Sequence, residues 1–334
     1  MLPVNHMTKL EKYAATQIKQ TLLSRGASAP KDEIQDLKDF LFDAVPKIAV
    51  DWRKEVPRQY RMKVSSVFCH QTPRVRYQQD IPGYGFRSRM PAKNRVNGAD
   101  GWGCELADLL VVMEVGLRGN PWTLRQAGLV QAKAGRHPLH RLGNPDEYKQ
   151  HYLLSCWPEF TLGKEFRSGP RRLKGLTPGA ACYGLIDQPS GTWTIHRPRQ
   201  LAPLLGPKQG FAHWLAELAT GQDGAPADIL FGRPNNSLRH AAPRDWPRLV
   251  DELLRITGQK TIAGKRPRGA SNVVRMLDLA TGLDDDAERP VRPTDWIRMA
   301  ETGGRGDQPD SHDTPLGEGR GIGVLHIRFE PAEG

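Results

Sequence analysis

The stretch ADLLVVMEVGLRGNPWTLRQAGLVQAKAGR, residues 107–136, decides how this chain is read. It opens with a run of strand length, 107–115, that is apolar except for Asp108 and Glu114. Residues 116–123 (GLRGNPWT) then supply Gly, Asn and Pro, which favour turns. A second apolar run follows at 127–132. Two such runs about a short turn predict an antiparallel hairpin. Pairing Asp108 with Gln131 puts its midpoint between Gly119 and Asn120, inside the predicted turn, so register and turn signals agree. Side chains alternate across a strand, so Gln131 and Lys133 share one face while Ala132 takes the other. That register brings Asp108 to the same edge, and three polar groups converge where two apolar strands end.

Such a convergence has a chemical use. The Asp108 carboxylate can hold a hard divalent cation, with the Ala132 backbone carbonyl and waters as further oxygen ligands. A cation there polarises a phosphate and lowers the pKa of an attacking water. Lys133 can orient that water or neutralise charge developing on phosphoryl oxygens. Gln131 can offer an amide oxygen as ligand or a hydrogen bond to the water. Glu105, three residues before Asp108 in GCELAD, offers a second carboxylate, and reads equally well as a solvated loop charge.

An Asp, a hairpin and then (Asp/Glu/Gln)-x-Lys resembles the signature of the PD-(D/E)xK nuclease superfamily. The string LVQAKAGR, residues 129–136, is most similar to the Gln-x-Lys variant of Mrr-like restriction endonucleases. The resemblance covers residues 60–160. It implies a mixed α/β, restriction-endonuclease-like fold with an αβββαβ core. It also implies Mg²⁺ (or Mn²⁺) as cofactor, hydrolysis of phosphodiester bonds in DNA, and a role in defence against foreign DNA. By that resemblance Asp108, Gln131 and Lys133 are the catalytic residues, and Asp108, Glu105 and the Ala132 carbonyl the metal ligands. Many superfamily members take a Glu from an upstream helix, which makes Glu11 and Glu33 candidates; the sequence does not choose between them. Gln131 departs from the acidic majority and leaves the site one negative charge short. A catalytically weak or inactive nuclease-fold module that binds nucleic acid is therefore the alternative.

Outward from the hairpin, residues 8–24 and 31–48 carry apolar side chains at helical spacing and predict two amphipathic helices. Residues 63–69 predict a strand, 80–101 a polar loop, 146–160 a helix, and 182–195 a hairpin turning at 188–191. Further on, 211–220, 246–257 and 273–281 read as helices, 301–320 as a mobile loop, and 321–329 as a closing strand. This divides the chain into an N-terminal helical segment (1–50) packing on a nuclease-like core (51–200), and a mostly helical C-terminal extension (201–334).

Basic residues outnumber acidic ones, 48 to 37, for a net charge of +11. That excess suits a polyanionic partner through counterion release, although charge alone does not separate this from a merely basic surface. Arg74, Arg76 and Arg87 near the strand at 63–69, and Arg171, Arg172 and Lys174 in a basic cluster after the core, are the candidate nucleic-acid contacts. No apolar run approaches the ~20 residues that span a bilayer, and residues 1–15 show no apolar leader, so a cytoplasmic location without a membrane partner is expected. A homodimer or a protein partner is compatible with the sequence. The four cysteines form no C-x-x-C pair, and a zinc site from Cys69, His70 and Cys104 lacks ligand spacing, so reduced thiols are expected.

Overall fold

The computed structural model describes residues 2–24, 26, 33–68, 73–77, 102–117, 120–135, 139–162, 169–173, 178–198, 204–206, 209–226, 245–262, 274–279 and 322–332. Helix α1 (Met7–Ser24) buries Leu10, Ala14, Ile18 and Leu22, the stripe that its spacing predicts. Helix α2 (Glu33–Asp39) runs through a π-turn (Phe40–Ala44) into α3 (Val45–Arg53). Pro46 at the start of α3 has no N–H to offer the preceding turn, which accounts for the loosened hydrogen-bond ladder there. The wider turn still buries Phe40, Leu41, Phe42 and Ala44.

The strands follow: β1 (Tyr60–Val67), β2 (Arg74–Tyr77), β3 (Trp102–Glu105), β4 (Leu109–Leu117), β5 (Asn120–Gly135) and β6 (His140–Arg141). Helix α4 (Pro145–Cys156) starts at Asn144, whose side chain accepts from the Glu147 N–H at 2.9 Å, with Pro145 in the first turn. It stops at Cys156, short of the expected residue 160, because Trp157 turns left-handed (φ 46°) and closes the end by donating to the Leu153 carbonyl. After β7 (Phe160–Leu162) come β8 (Ala181–Asp187), β9 (Thr192–His196), β10 (Leu204–Leu205), β11 (Gln209–Gly210), α5 (Phe211–Thr220), β12 (Ala225–Pro226), α6 (Asp245–Ile262), β13 (Val274–Leu279) and β14 (Gly323–Pro331).

The fold is mixed α/β. Its main sheet runs in the order β11-β9-β8-β5-β4-β14-β1-β13, with β12 also pairing β5, and is parallel at β5–β8 and β4–β14. A small sheet, β3-β2-β7, lies outside it. Apolar side chains fill both faces. Leu109, Val111 and Met113 of β4 pack with residues of α1, α3 and α5, while Leu110 and Val112 pack with residues of α4, α6 and β2-β3-β7. A sheet covered on both sides wants continuous apolar strands, which is how the central runs read.

The β4–β5 ladder pairs Leu109 with Val130 and continues in that register to Gly116 and Thr123, the register read from the sequence. The turn is tighter than expected: β5 already begins at Asn120, and an irregularity between Gly116 and Leu117 absorbs the offset. Two other expectations are corrected. Residues 274–279, read as helix, form β13 and pair with β1. The C-terminal strand β14 lies between β1 and β4, so β1 is not the immediate neighbour of β4 that an uninterrupted three-strand meander requires. Residues 201–334 thus supply strands to the middle of the sheet as well as helices. The loops expected at 80–101 and 301–320 lie outside the described residues. Among the described residues no helix is long and apolar enough to cross a membrane.

Candidate active site

Asp108 sits one residue before β4, just beyond the Leu109–Val130 pair, at the point where β4 begins and β5 approaches its end. Its backbone is held from both sides. The Asp108 N–H donates to the Val130 carbonyl at 3.1 Å, and its carbonyl accepts from the Gly323 N–H at 3.0 Å. Gly323 must be glycine for so close an approach, since a Cβ there would lie 2.6 Å from the Asp108 oxygen. A side chain mounted on two sheet strands is well placed for chemistry that needs fixed geometry.

The Asp108 Oδ2 accepts from the Ala132 N–H at 2.8 Å and from Gln131 Nε2. A strand residue directs its N–H and C=O to the same side, and the Ala132 carbonyl there accepts a long contact from Gln131 Nε2 at 3.4 Å. The Gln131 oxygen, expected as a ligand or as a partner for water, instead accepts from Gln150 Nε2 on α4. Gln150 Nε2 also donates to the Glu105 carbonyl at 3.1 Å, so Glu105 joins the site's hydrogen-bond chain through its backbone.

Of the two upstream glutamates, the structure brings Glu33 here and not Glu11. Glu33, at the start of α2, has Oε1 3.8 Å from Lys133 Nζ and Oε2 3.4 Å from the Ala134 N–H. Glu11 is bonded to His213 at 2.8 Å, bridging α1 and α5. Lys133 also lies 4.0 Å from Glu147 Oε1, and His140 Nε2 contacts the same oxygen at 3.1 Å.

Burial pushes the Asp108 carboxyl up to about 7, and Glu33 and Glu105 push the same way against Lys133 and the Ala132 N–H. Burial alone would raise Glu147 as well. There the hydrogen bonds from His140 and the Gly143 N–H, with His140 and Lys133 charge, outweigh it and bring the group down to about 2. Glu147 is thus an ionised partner for Lys133, whereas Asp108 lacks sufficient positive charge around it. The donors near Asp108 are carboxylate and carbonyl oxygens, the set a hard cation prefers, and a carboxylate raised in this way is stabilised by such a cation.

The candidate nucleic-acid contacts separate into groups. Arg74 and Arg76 are exposed on one face of β2, with Val75 and Tyr77 on its buried face. Arg74 is paired in register with Glu105, three residues before Asp108, and neither arginine meets a carboxylate among the described residues. Arg171 is instead closed into an ion pair with Glu252 of α6, with its side chain only 12% exposed, so it ties the 169–173 segment to that helix. Arg172 bonds Glu159 at 2.6 Å while remaining exposed. Arg87 and Lys174 lie outside the described residues. Cys104, Cys156 and Cys182 are free thiols, and burial pushes the Cys104 thiol up to about 12.

Sequence reasoning missed Gln150, Glu147 and His140. A signal for Gln150 was available: it falls one turn before Leu153 and Leu154, on the face that α4 buries. Comparison with protein-family models, with curated proteins and with solved structures returns no match to this chain.

Proposed function

We propose that the chain is a metal-dependent endonuclease of the PD-(D/E)xK kind, hydrolysing phosphodiester bonds in DNA. The observation that carries this is the Asp108 carboxyl, raised to about 7, with Glu33 and Lys133 around it at the end of one hairpin. The β4–β5 hairpin, followed by α4 and then β8 parallel to β5, is the part of the fold that supports it.

Asp108, Glu33 and the Ala132 carbonyl would hold Mg²⁺ or Mn²⁺. When bound, the cation supplies charge neutralisation at the scissile phosphate and acidifies a water. The chain's own residues do the rest. Lys133, held near Glu33 and Glu147, presents a fixed ammonium to charge developing on the phosphoryl oxygens. Gln131 and the Ala132 N–H orient the Asp108 carboxylate. Arg74 and Arg76 supply phosphate contacts along the backbone leading to the site. Defence against foreign DNA is the role the family resemblance suggests.

The test is cleavage of plasmid and linear DNA with Mg²⁺ or Mn²⁺. Activity is expected in the native protein and its loss in Asp108→Ala and Lys133→Ala; undiminished cleavage by both variants removes the site. One observation favours a second reading, a nuclease-fold module that binds nucleic acid without turnover. Gln131 brings an amide donor to Asp108 where most of the superfamily has an acid. Salt-sensitive DNA binding with no cleavage under any divalent metal would select that reading.

A further inference from the structure

We infer that Gln150 is a positioning residue that locks the Gln131 amide as a hydrogen-bond donor to Asp108 and keeps the Gln131 oxygen away from the cation. The inference rests on the reading of this hairpin end as a cation site. A carboxamide has a donor end and an acceptor end of nearly the same shape, and its neighbours decide which faces where. The Glu105 backbone carbonyl is only an acceptor and lies 3.1 Å from Gln150, so the nitrogen end of Gln150 must face it. That same nitrogen meets the Gln131 side chain, which therefore presents its oxygen to Gln150 and its nitrogen to Asp108. The chain of bonds is anchored at the Glu105 backbone carbonyl, which can only accept, and it runs from there through Gln150 and Gln131 to Asp108.

Two consequences follow. Asp108 Oδ2 is taken by two donors, Gln131 Nε2 and the Ala132 N–H, which leaves Oδ1 for a cation. In the metal-free protein the Gln131 amide supplies part of the positive potential that the carboxylate lacks. Gln131 is 2% exposed and Gln150 5%, so turning Gln131 would set donor against donor, and turning Gln150 would set its oxygen against two acceptors, without water to relieve either. The Gln-x-Lys pattern thus contributes a donor at Gln131 where an acidic residue would contribute a ligand.

The experiment reads the Gln131 side-chain NH₂ by ¹⁵N–¹H NMR in metal-free protein, the signal being assigned by its loss in Gln131→Met. In the native protein this NH₂ is expected to exchange slowly with solvent. Gln150→Met removes the donor, so the signal should shift and exchange at least several-fold faster. Mn²⁺ affinity, measured by calorimetric titration, should tighten by up to ~10-fold as the Gln131 oxygen becomes free to turn toward the cation. Gln150→Leu likewise removes the donor and puts no polar atom in its place, and should move the same signal. An unmoved signal in both variants overturns the inference. So does Mn²⁺ affinity that is unchanged or weaker in Gln150→Met, the result of a merely structural role. A signal that responds in both variants of a protein that binds no Mn²⁺ at all supports the lock and overturns the cation reading instead.

Discussion

The two ends of the β4–β5 hairpin each carry a carboxylate, Asp108 partly buried and Glu114 buried, and the two are treated in opposite ways. At one end burial and acidic neighbours push Asp108 up to about 7. At the other, burial of Glu114 is outweighed by His326, which bonds it at 2.9 Å, and by the charges of Arg328 and Arg125, so Glu114 falls to about 2. Arg125 is in turn paired with Asp251 of α6 at 2.6 Å, and Arg328 with Glu330 at 3.1 Å. The far end is a closed charge network. Among the described residues the near end has carboxylates with Lys133 in reach, a balance that the proposed cation would complete. One hairpin thus sets a charge network closed within the protein against one that, in the proposed function, a cation would complete.

The largest effect should come from breaking the closed end. Glu114→Ala leaves His326, Arg328 and Arg125 facing each other without the acid between them, and should cost ~3–5 kcal/mol in denaturant unfolding. Next is Lys133→Met at the open end, which should slow DNA cleavage by ~10²–10³-fold with little change in the unfolding midpoint. Third is the pH response of metal-free protein. The folded-state pKa of Asp108 is raised, so its contribution is fully present below pH 4 and is lost as pH rises towards 7. Glu114 is depressed and acts oppositely: its contribution is present above pH 4.5 and is lost as pH falls towards 2. Asp108→Asn should therefore be more stable than the native protein near pH 8, by a few kcal/mol at most, while being inactive. Unfolding curves across pH 4–8 in chelator check this; an unchanged slope in the variant speaks against an unbalanced Asp108.

The smallest effect separates Arg171, which is ion-paired, from Arg74 and Arg76, which meet no carboxylate among the described residues. Arg74→Ala and Arg76→Ala should each reduce the salt dependence of DNA binding by about one unit of slope. Arg171→Ala, by opening the pair with Glu252, should lower stability and leave that slope unchanged.

Much of the open end was legible because it is local. The turn midpoint sets the register of β4 against β5, and α1 and α5 follow from the spacing of apolar residues such as Leu10, Ala14, Ile18 and Trp214. What was hidden depends on distant chain. Nothing local tells that the run ending at Phe329 lies beside β4 rather than at an edge, or that VRMLDL at 274–279 is held as strand by β1. Glu33 and Glu11 look alike in sequence, and only the packing of α2 beside β5 brings one of them to Lys133. The place of Gln150 on the buried face of α4 is legible, but its role is not, since a buried amide has meaning only once its two partners are known.

The most direct test of the contrast between the two hairpin ends is thermal unfolding at pH 8 with chelator and with millimolar Mg²⁺. It should be run on the native protein, Asp108→Asn and Glu114→Gln. The account predicts that Mg²⁺ raises the midpoint of the native protein and of Glu114→Gln, and leaves Asp108→Asn unmoved. An equal rise in all three, or none in the native protein, would contradict it.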